Sequence, residues 1–90
     1  MQRAKVSTQV SASQVVSIAN EYLDQLMGSR RADARAASFR DQILTIETLR
    51  ASTSEFVHEH ETEILAEIHA RIPSQKIRSI RYRIVHRFRG

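Results

Sequence analysis

The chain of 90 residues has no cysteine and no tryptophan, one proline and two glycines. Without cysteine, neither a disulfide framework nor a thiolate metal site can form, which is compatible with a reducing cytoplasmic compartment. Gly28 and Gly90 are the only glycines, so no glycine-rich loop is available to cradle a phosphate. Long apolar runs are missing too. No stretch approaches the roughly 18 consecutive apolar residues that mark a membrane span. The opening segment, Met1 to Val10, lacks the continuous apolar core of a signal peptide. A soluble, cytoplasmic protein with no membrane partner is therefore expected. The length allows one domain at most. A domain of this size buries only about two-thirds of its unfolded surface, which leaves little room for an internal active site.

What is present is charge, and it is unevenly placed. The formal net charge is +4. Five glutamates fall between Glu55 and Glu67, whereas six of the last fifteen residues are Lys or Arg. Such asymmetry suggests an acidic or polyanionic partner. The plainer alternative is a charged surface that keeps the protein soluble. The apolar fraction of 41% suits a folded chain.

Hydrophobic periodicity predicts the elements. Residues 1–12 are polar, rich in Ser, Thr and Gln, and are expected to form a flexible N-terminal arm before a single domain over residues 13–90. Val15, Ile18, Ala19, Tyr22, Leu23, Leu26 and Met27 recur at helical spacing, with Ser13 (or Ser11) as N-cap and Gly28 as C-cap glycine. A first helix is thus predicted from about Gln14 to Met27, followed by a polar connector, Ser29 to Asp33. Ala34 to Arg40 is a weakly marked strand, with Arg35, Ala37 and Phe39 on one face and Ala36 and Ser38 on the other. A turn at Arg40-Asp41-Gln42, lacking the usual glycine, joins it antiparallel to a strand from Ile43 to Leu49. Leu44 and Ile46 point one way along that strand; Ile43, Thr45 and Glu47 point the other.

Ser52, Thr53 and Ser54 offer N-caps for a second helix running to Ile72, which Pro73 stops. Its stripe is Val57, Ile64, Leu65, Ile68 and Ile72, interrupted by Glu61. The last segment alternates over about Ile77 to Val85. Ile80, Tyr82 and Ile84, with Phe88 and His86, share one face; Arg81, Arg83, Arg87 and Arg89 share the other. The order α-β-β-α-β predicts a two-layer α+β fold, with two helices packed on one face of a small three-stranded sheet. Thr45, Glu47, Arg81 and Arg83 would lie on the open face.

Catalytic and metal chemistry find little support. Glu59, Glu63 and Glu67 are spaced to line one helix face, but paired carboxylates need a cleft that shifts a pKa. His58 and His60 are two residues apart and so point about 200° apart on a helix, too divergent to share a metal. Glu55 and His58 have a Glu-x-x-His spacing, yet the carboxylate-bridged sites that use it need a second such helix. No nucleophile motif surrounds any serine. Neither a catalytic residue, nor a metal ligand, nor a cofactor is assigned, and no enzymatic activity is expected. The basic strand is the remaining site candidate. Lys76, Arg78, Arg81, Arg83, Arg87 and Arg89 could contact phosphates, and Arg30, Arg31 and Arg35 could extend the patch. Tyr82 or Phe88 could stack on a base if exposed. The competing reading is a charged face that blunts an edge strand.

Three segments carry a family resemblance. Phe39-Arg40-Asp41-Gln42-Ile43-Leu44-Thr45-Ile46, then Ile64-Leu65-Ala66-Glu67-Ile68-His69, then Ile77-Arg78-Ser79-Ile80-Arg81-Tyr82-Arg83 stand in the order and spacing of a turn and strand, a helix with paired aliphatics and a closing strand. Together with the first helix, this ordered set resembles the DciA-like family, small bacterial proteins tied to loading of the replicative DNA helicase. The resemblance covers about Val15 to Ile84, with Gln42 in place of the usual turn glycine. It implies a K-homology-like fold, here without the GXXG loop that clamps a nucleic-acid strand. It also implies a non-enzymatic DNA-binding module, favouring single-stranded or junction DNA, and a replicative helicase as a further partner. Two other readings stand beside it. One is an RNA- or ribosome-associated protein of related fold. The other is a protein-binding adaptor that uses the acidic helix face and an open sheet edge.

Overall fold

A computed structural model describes residues 12–88 of the chain. The N-terminal arm expected over residues 1–12 lies, except for Ala12, outside the described residues, as does Arg89. The elements are α1 (Ala12–Met27), a 3-10 segment (Gly28–Asp33), β1 (Ala34–Arg40), β2 (Ile43–Thr48), α2 (Ala51–Glu59), α3 (Glu61–Arg71) and β3 (Ser79–Ile84). Among the described residues the fold is α+β, with three α-helices and a three-stranded mixed sheet. The strand order is β1-β2-β3. β1 pairs antiparallel with β2, and β3 pairs parallel with β2. Parallel neighbours need a long crossover, and α2 with α3 supplies it.

The core is built from one stripe of each helix. On α1, Val15, Ala19, Leu23 and Met27 are buried at four-residue spacing, the spacing that stacks side chains on one helix face. They meet Ala34 and Ala36 of β1, Leu44 and Ile46 of β2, and Val57, Ile64, Ile68 and Ile72. The alanines that made β1 weak by propensity have a packing role. Their small side chains let α1 lie close over the strand, close enough for Asn20 to reach its backbone. The Asn20 side-chain amide donates to the Ala36 carbonyl at 3.2 Å and accepts from the Ala36 N–H at 2.8 Å. That pair occupies the outer edge of β1 as a neighbouring strand would.

The turn between β1 and β2 is Asp41-Gln42, and both residues have positive φ, 53° and 67°. Two left-handed central residues make the type I′ turn, whose twist suits a two-residue hairpin. Gly28, at φ 60°, ends α1 in the left-handed conformation expected of a C-cap glycine.

Four local expectations need correction. The first concerns faces on β1. A bulge between Ala36 and Ser38 inserts Ala37, which reverses the alternation. Phe39 therefore falls on the core face with Ala34 and Ala36, while Arg35, Ser38 and Arg40 share the open face. The second is the single helix expected as far as Ile72, which is broken at His60 (φ −105°, ψ 15°). In a continuous helix the Phe56 carbonyl would accept the His60 amide. Here it faces His60 Nδ1 at 2.9 Å, and the amide turns to the Val57 carbonyl at 2.9 Å. A carbonyl cannot donate, so Nδ1 carries the proton. The break separates Glu59, on α2, from Glu63 and Glu67 on α3. The third concerns caps. α2 begins at Ala51 after an extended Arg50 with no side-chain cap, so Ser52, Thr53 and Ser54 occupy its first turn. Ser13 lies inside α1, and Ser11, the alternative cap, lies outside the described residues. The fourth is β3, which is shorter than expected and leaves Ile84 56% exposed.

Candidate nucleic-acid interface

The strand register fixes which residues share the face of the sheet opposite the helices. Across it run Arg35–Glu47–Arg83, then Ser38–Thr45–Arg81, then Arg40–Ile43–Ser79. Both outer strands contribute arginines, and the central strand contributes none. Arg35, Arg40, Arg81 and Arg83 are all exposed. Glu47 in the centre has a side chain only 13% exposed, and the Arg83 guanidinium lies 3.5 Å from its carboxylate. The register thus places four arginines and one glutamate along the strands of this face, with Arg83 paired to Glu47.

This arrangement follows from alternation on β3 and from the bulge on β1. On β3, successive side chains point to opposite faces, so Arg81 and Arg83 are open while Ile80 and Tyr82 are half-buried against the core. On β1, the extra residue at Ala37 brings Arg40 onto the same face as Arg35. Sequence reasoning missed Arg40 because it carried the alternation unbroken through Ala37. A run of Ala and Ser offers no apolar marker for the switch.

The other predicted cations are more scattered. Lys76 and Arg78 are exposed in the segment that precedes β3, and Arg87 is exposed beyond its end. None of them lies in a strand, so alternation assigns none of them to a face. The Arg78 backbone is tied down, its amide donating to the Gln42 carbonyl at 2.7 Å. Arg89 lies outside the described residues.

Among the strand residues, no aromatic ring lies on the open face. Tyr82 points to the helix side, where its hydroxyl donates to Glu61 Oε1 at 2.8 Å. Burial first, and then the Glu61 carboxylate, push its phenol well above the usual tyrosine range, so it stays a donor. His58 Nδ1 lies 3.3 Å from the same Glu61 oxygen, and its ring stands edge-on to Tyr82 with centroids 5.2 Å apart. Glu61 interrupted the apolar stripe in the sequence; the fold uses it to hold β3 to the helix break. Phe39 packs against the core and Phe88 is half-buried.

A surface of this kind can attract and orient a polyanion through charge-assisted hydrogen bonds, because guanidinium groups match phosphate oxygens in a bidentate fork. Among the described residues, no cluster of three or more His, Asp and Glu side chains could hold a metal ion. No helix among them is long and apolar enough to cross a membrane. Searched against models of known protein families and against curated proteins, the chain matches none.

Proposed function

We propose that the chain is a non-enzymatic nucleic-acid-binding module that engages phosphates through the open face of its sheet. The observation that carries this reading is the arginine set, Arg35 and Arg40 on one flank and Arg81 and Arg83 on the other, with Glu47 the only carboxylate among them. Binding would be electrostatic, each guanidinium displacing counterions from the phosphate backbone, with little base preference. The lack of an aromatic ring among the strand residues of that face favours backbone contact over base stacking. Lys76, Arg78, Arg87 and Arg89 would extend the contact at the two ends of β3.

The DciA-like resemblance supports DNA, single-stranded or junction-like, and a role beside the replicative helicase. The element order also suits a K-homology-like module without the GXXG loop. RNA is the competing ligand.

Fluorescence anisotropy of a labelled oligonucleotide across a salt series tests the proposal. With four phosphate contacts, log K is expected to fall with log salt with a slope of about −3 to −4. The double variant Arg40→Ala, Arg81→Ala leaves the Arg83–Glu47 pair intact and is expected to make that slope shallower by about 1.5. Undetectable affinity at low salt, or a slope unmoved by the double variant, refutes the reading. Competition between RNA and DNA of equal length identifies the preferred backbone.

A further inference from the structure

The two outer edges of the sheet are treated differently. On β1 the Asn20 side chain occupies the backbone groups of Ala36. On β3, no side chain among the described residues bonds to the outward backbone groups. An uncovered edge strand is a ready template for another strand. Nor is the surface beside it smooth. A groove of about 410 Å³ runs between α2 and β3, with Ala51, Ser54, Glu55, His58 and Glu59 of α2 on one wall, His58 being held by Glu61, and Tyr82 and Ile84 of β3 on the other. Ile84 is the one large exposed hydrophobic residue among those described.

We propose that this edge and its groove form a protein-docking site for an extended, cationic segment of a partner. The segment would add as a fourth strand beside β3, place an aliphatic side chain against Ile84, and direct lysine or arginine side chains toward Glu55 and Glu59. The proposal is independent of the nucleic-acid reading and concerns the opposite side of the same strand.

Three features select that occupant. Strand addition draws affinity from main-chain hydrogen bonds and specificity from alternate side chains in pockets. Ile84 points into the groove because it shares the parity of Ile80 and Tyr82, whereas Arg81 and Arg83 point to the open face. An added strand whose alternate residues are aliphatic would therefore cover Ile84. The charge of the groove then sets the sign of the partner. Glu55 and Glu59 are four residues apart on one helix face, both line the groove, and neither carboxylate makes an ion pair or hydrogen bond among the described residues. Glu61 nearby already takes Tyr82 and His58, and Arg71 is taken by Glu21 and Glu67. In a chain of net charge +4, this is a local acidic wall. It repels phosphate and favours a cationic side chain.

The test uses the full chain and a labelled peptide of about six residues, the usual strand length, alternating lysine and valine. Two control peptides replace every lysine with glutamate, or every valine with serine. The lysine–valine peptide is expected to bind at least about tenfold more tightly than either control, one such factor being the size of a single good contact. The Val85 amide donates to the Thr48 carbonyl, so along β3 the amides of Tyr82 and Ile84 point away from β2, and these should exchange more slowly with solvent on binding. Glu55→Gln with Glu59→Gln should abolish peptide binding and leave oligonucleotide binding intact, and Ile84→Ser should weaken peptide binding. All three positions are exposed, and circular dichroism verifies folding. Arg40→Ala with Arg81→Ala should do the reverse, so that failure of one site is distinguishable from failure of the other. Three outcomes overturn the proposal. They are no binding of the lysine–valine peptide, equal binding of the serine control, and binding that survives the double glutamate variant. If sedimentation instead shows a dimer that the double glutamate variant dissociates, the groove belongs to a second copy of the chain and the proposal falls.

Discussion

Gln42→Gly should stabilise the protein. Gln42 sits at φ 67° in the second central position of the β1–β2 turn. In that left-handed region the Cβ of an L-residue crowds the following carbonyl, at about 1–2 kcal/mol relative to the right-handed form. Glycine has no such penalty, but it loses more freedom on folding, which takes back about 0.5–1 kcal/mol. The net gain is about 0.5–1 kcal/mol. For a domain of this size, that raises the midpoint of thermal unfolding by roughly 2–8 °C. Nothing else should change. The Gln42 side chain is exposed, and the bond from the Arg78 amide uses the Gln42 backbone carbonyl, which glycine retains. Thermal and urea unfolding measure the effect, with Gln42→Ala as control. Alanine keeps the Cβ and should give no gain. Asp41→Gly should gain less, because aspartate tolerates left-handed turn positions. A midpoint that is unchanged or lower in Gln42→Gly, or equally raised in Gln42→Ala, refutes the argument from backbone strain.

Other substitutions test the interior and the sheet edge. Asn20→Ala removes both hydrogen bonds to Ala36 and should destabilise by about 1–3 kcal/mol; faster amide exchange at Ala36 would identify the cause. The hydroxyls of Thr48 and Thr53 are buried with no partner among the described residues, so Thr48→Val and Thr53→Val should each be neutral or stabilising by up to about 1 kcal/mol in urea unfolding. Tyr82→Phe loses the bond to Glu61 and should cost about 1–2 kcal/mol. The raised phenol pKa adds a pH signature. Folding opposes ionisation of Tyr82, so its contribution is full below the unfolded tyrosine pKa of about 10 and is lost as pH rises above it. Thermal melts from neutral to strongly alkaline pH should show that loss in the native chain, and a shallower one in Tyr82→Phe. Tyr22, whose phenol is also raised, by burial and then by Glu63, supplies what remains.

Much of the fold was legible in side-chain period. Val15, Ala19, Leu23 and Met27 declare α1, and Gly28 declares its end. The alternation of Leu44 and Ile46 against Thr45 and Glu47 declares β2 and predicts its two faces. What escaped was carried by residues without a strong signature. The bulge at Ala37 lies in a stretch of Ala and Ser that has no apolar side to reverse, so the switch of Phe39 and Arg40 between faces left no trace. The break at His60 contains neither Gly nor Pro; it depends on a ring nitrogen competing for the Phe56 carbonyl. That break divides a glutamate row that looked continuous. For the candidate site, the arginines of β3 were legible and their partners across the sheet were not. Pairing Arg83 with Glu47, and Arg35 beyond it, requires the strand order and the parallel register, which no local pattern contains. The exposure of Ile84 was hidden for the same reason, since a strand at the sheet's edge buries less of its apolar side than its alternation suggests.

The parallel pairing of β2 with β3 has a consequence for how the chain reaches this state. The hairpin of β1 and β2 joins residues close in sequence, whereas Ile43 meets Ser79 only after the whole of α2 and α3 has been laid down. Loop closure of that length must be met before the pairing stabilises anything, and such contacts are slow to form. β3 is therefore expected to dock last in folding and to open first in the native state, so its amides should exchange ahead of those of β2. The arginine face inherits that order. Arg35 and Arg40 are in place once the hairpin closes, but Arg81 and Arg83 join them only when the domain is complete. A chain interrupted before β3 would expose Leu44 and Ile46 at an open sheet edge and hold half of its cations, making it prone to association before it could bind anything.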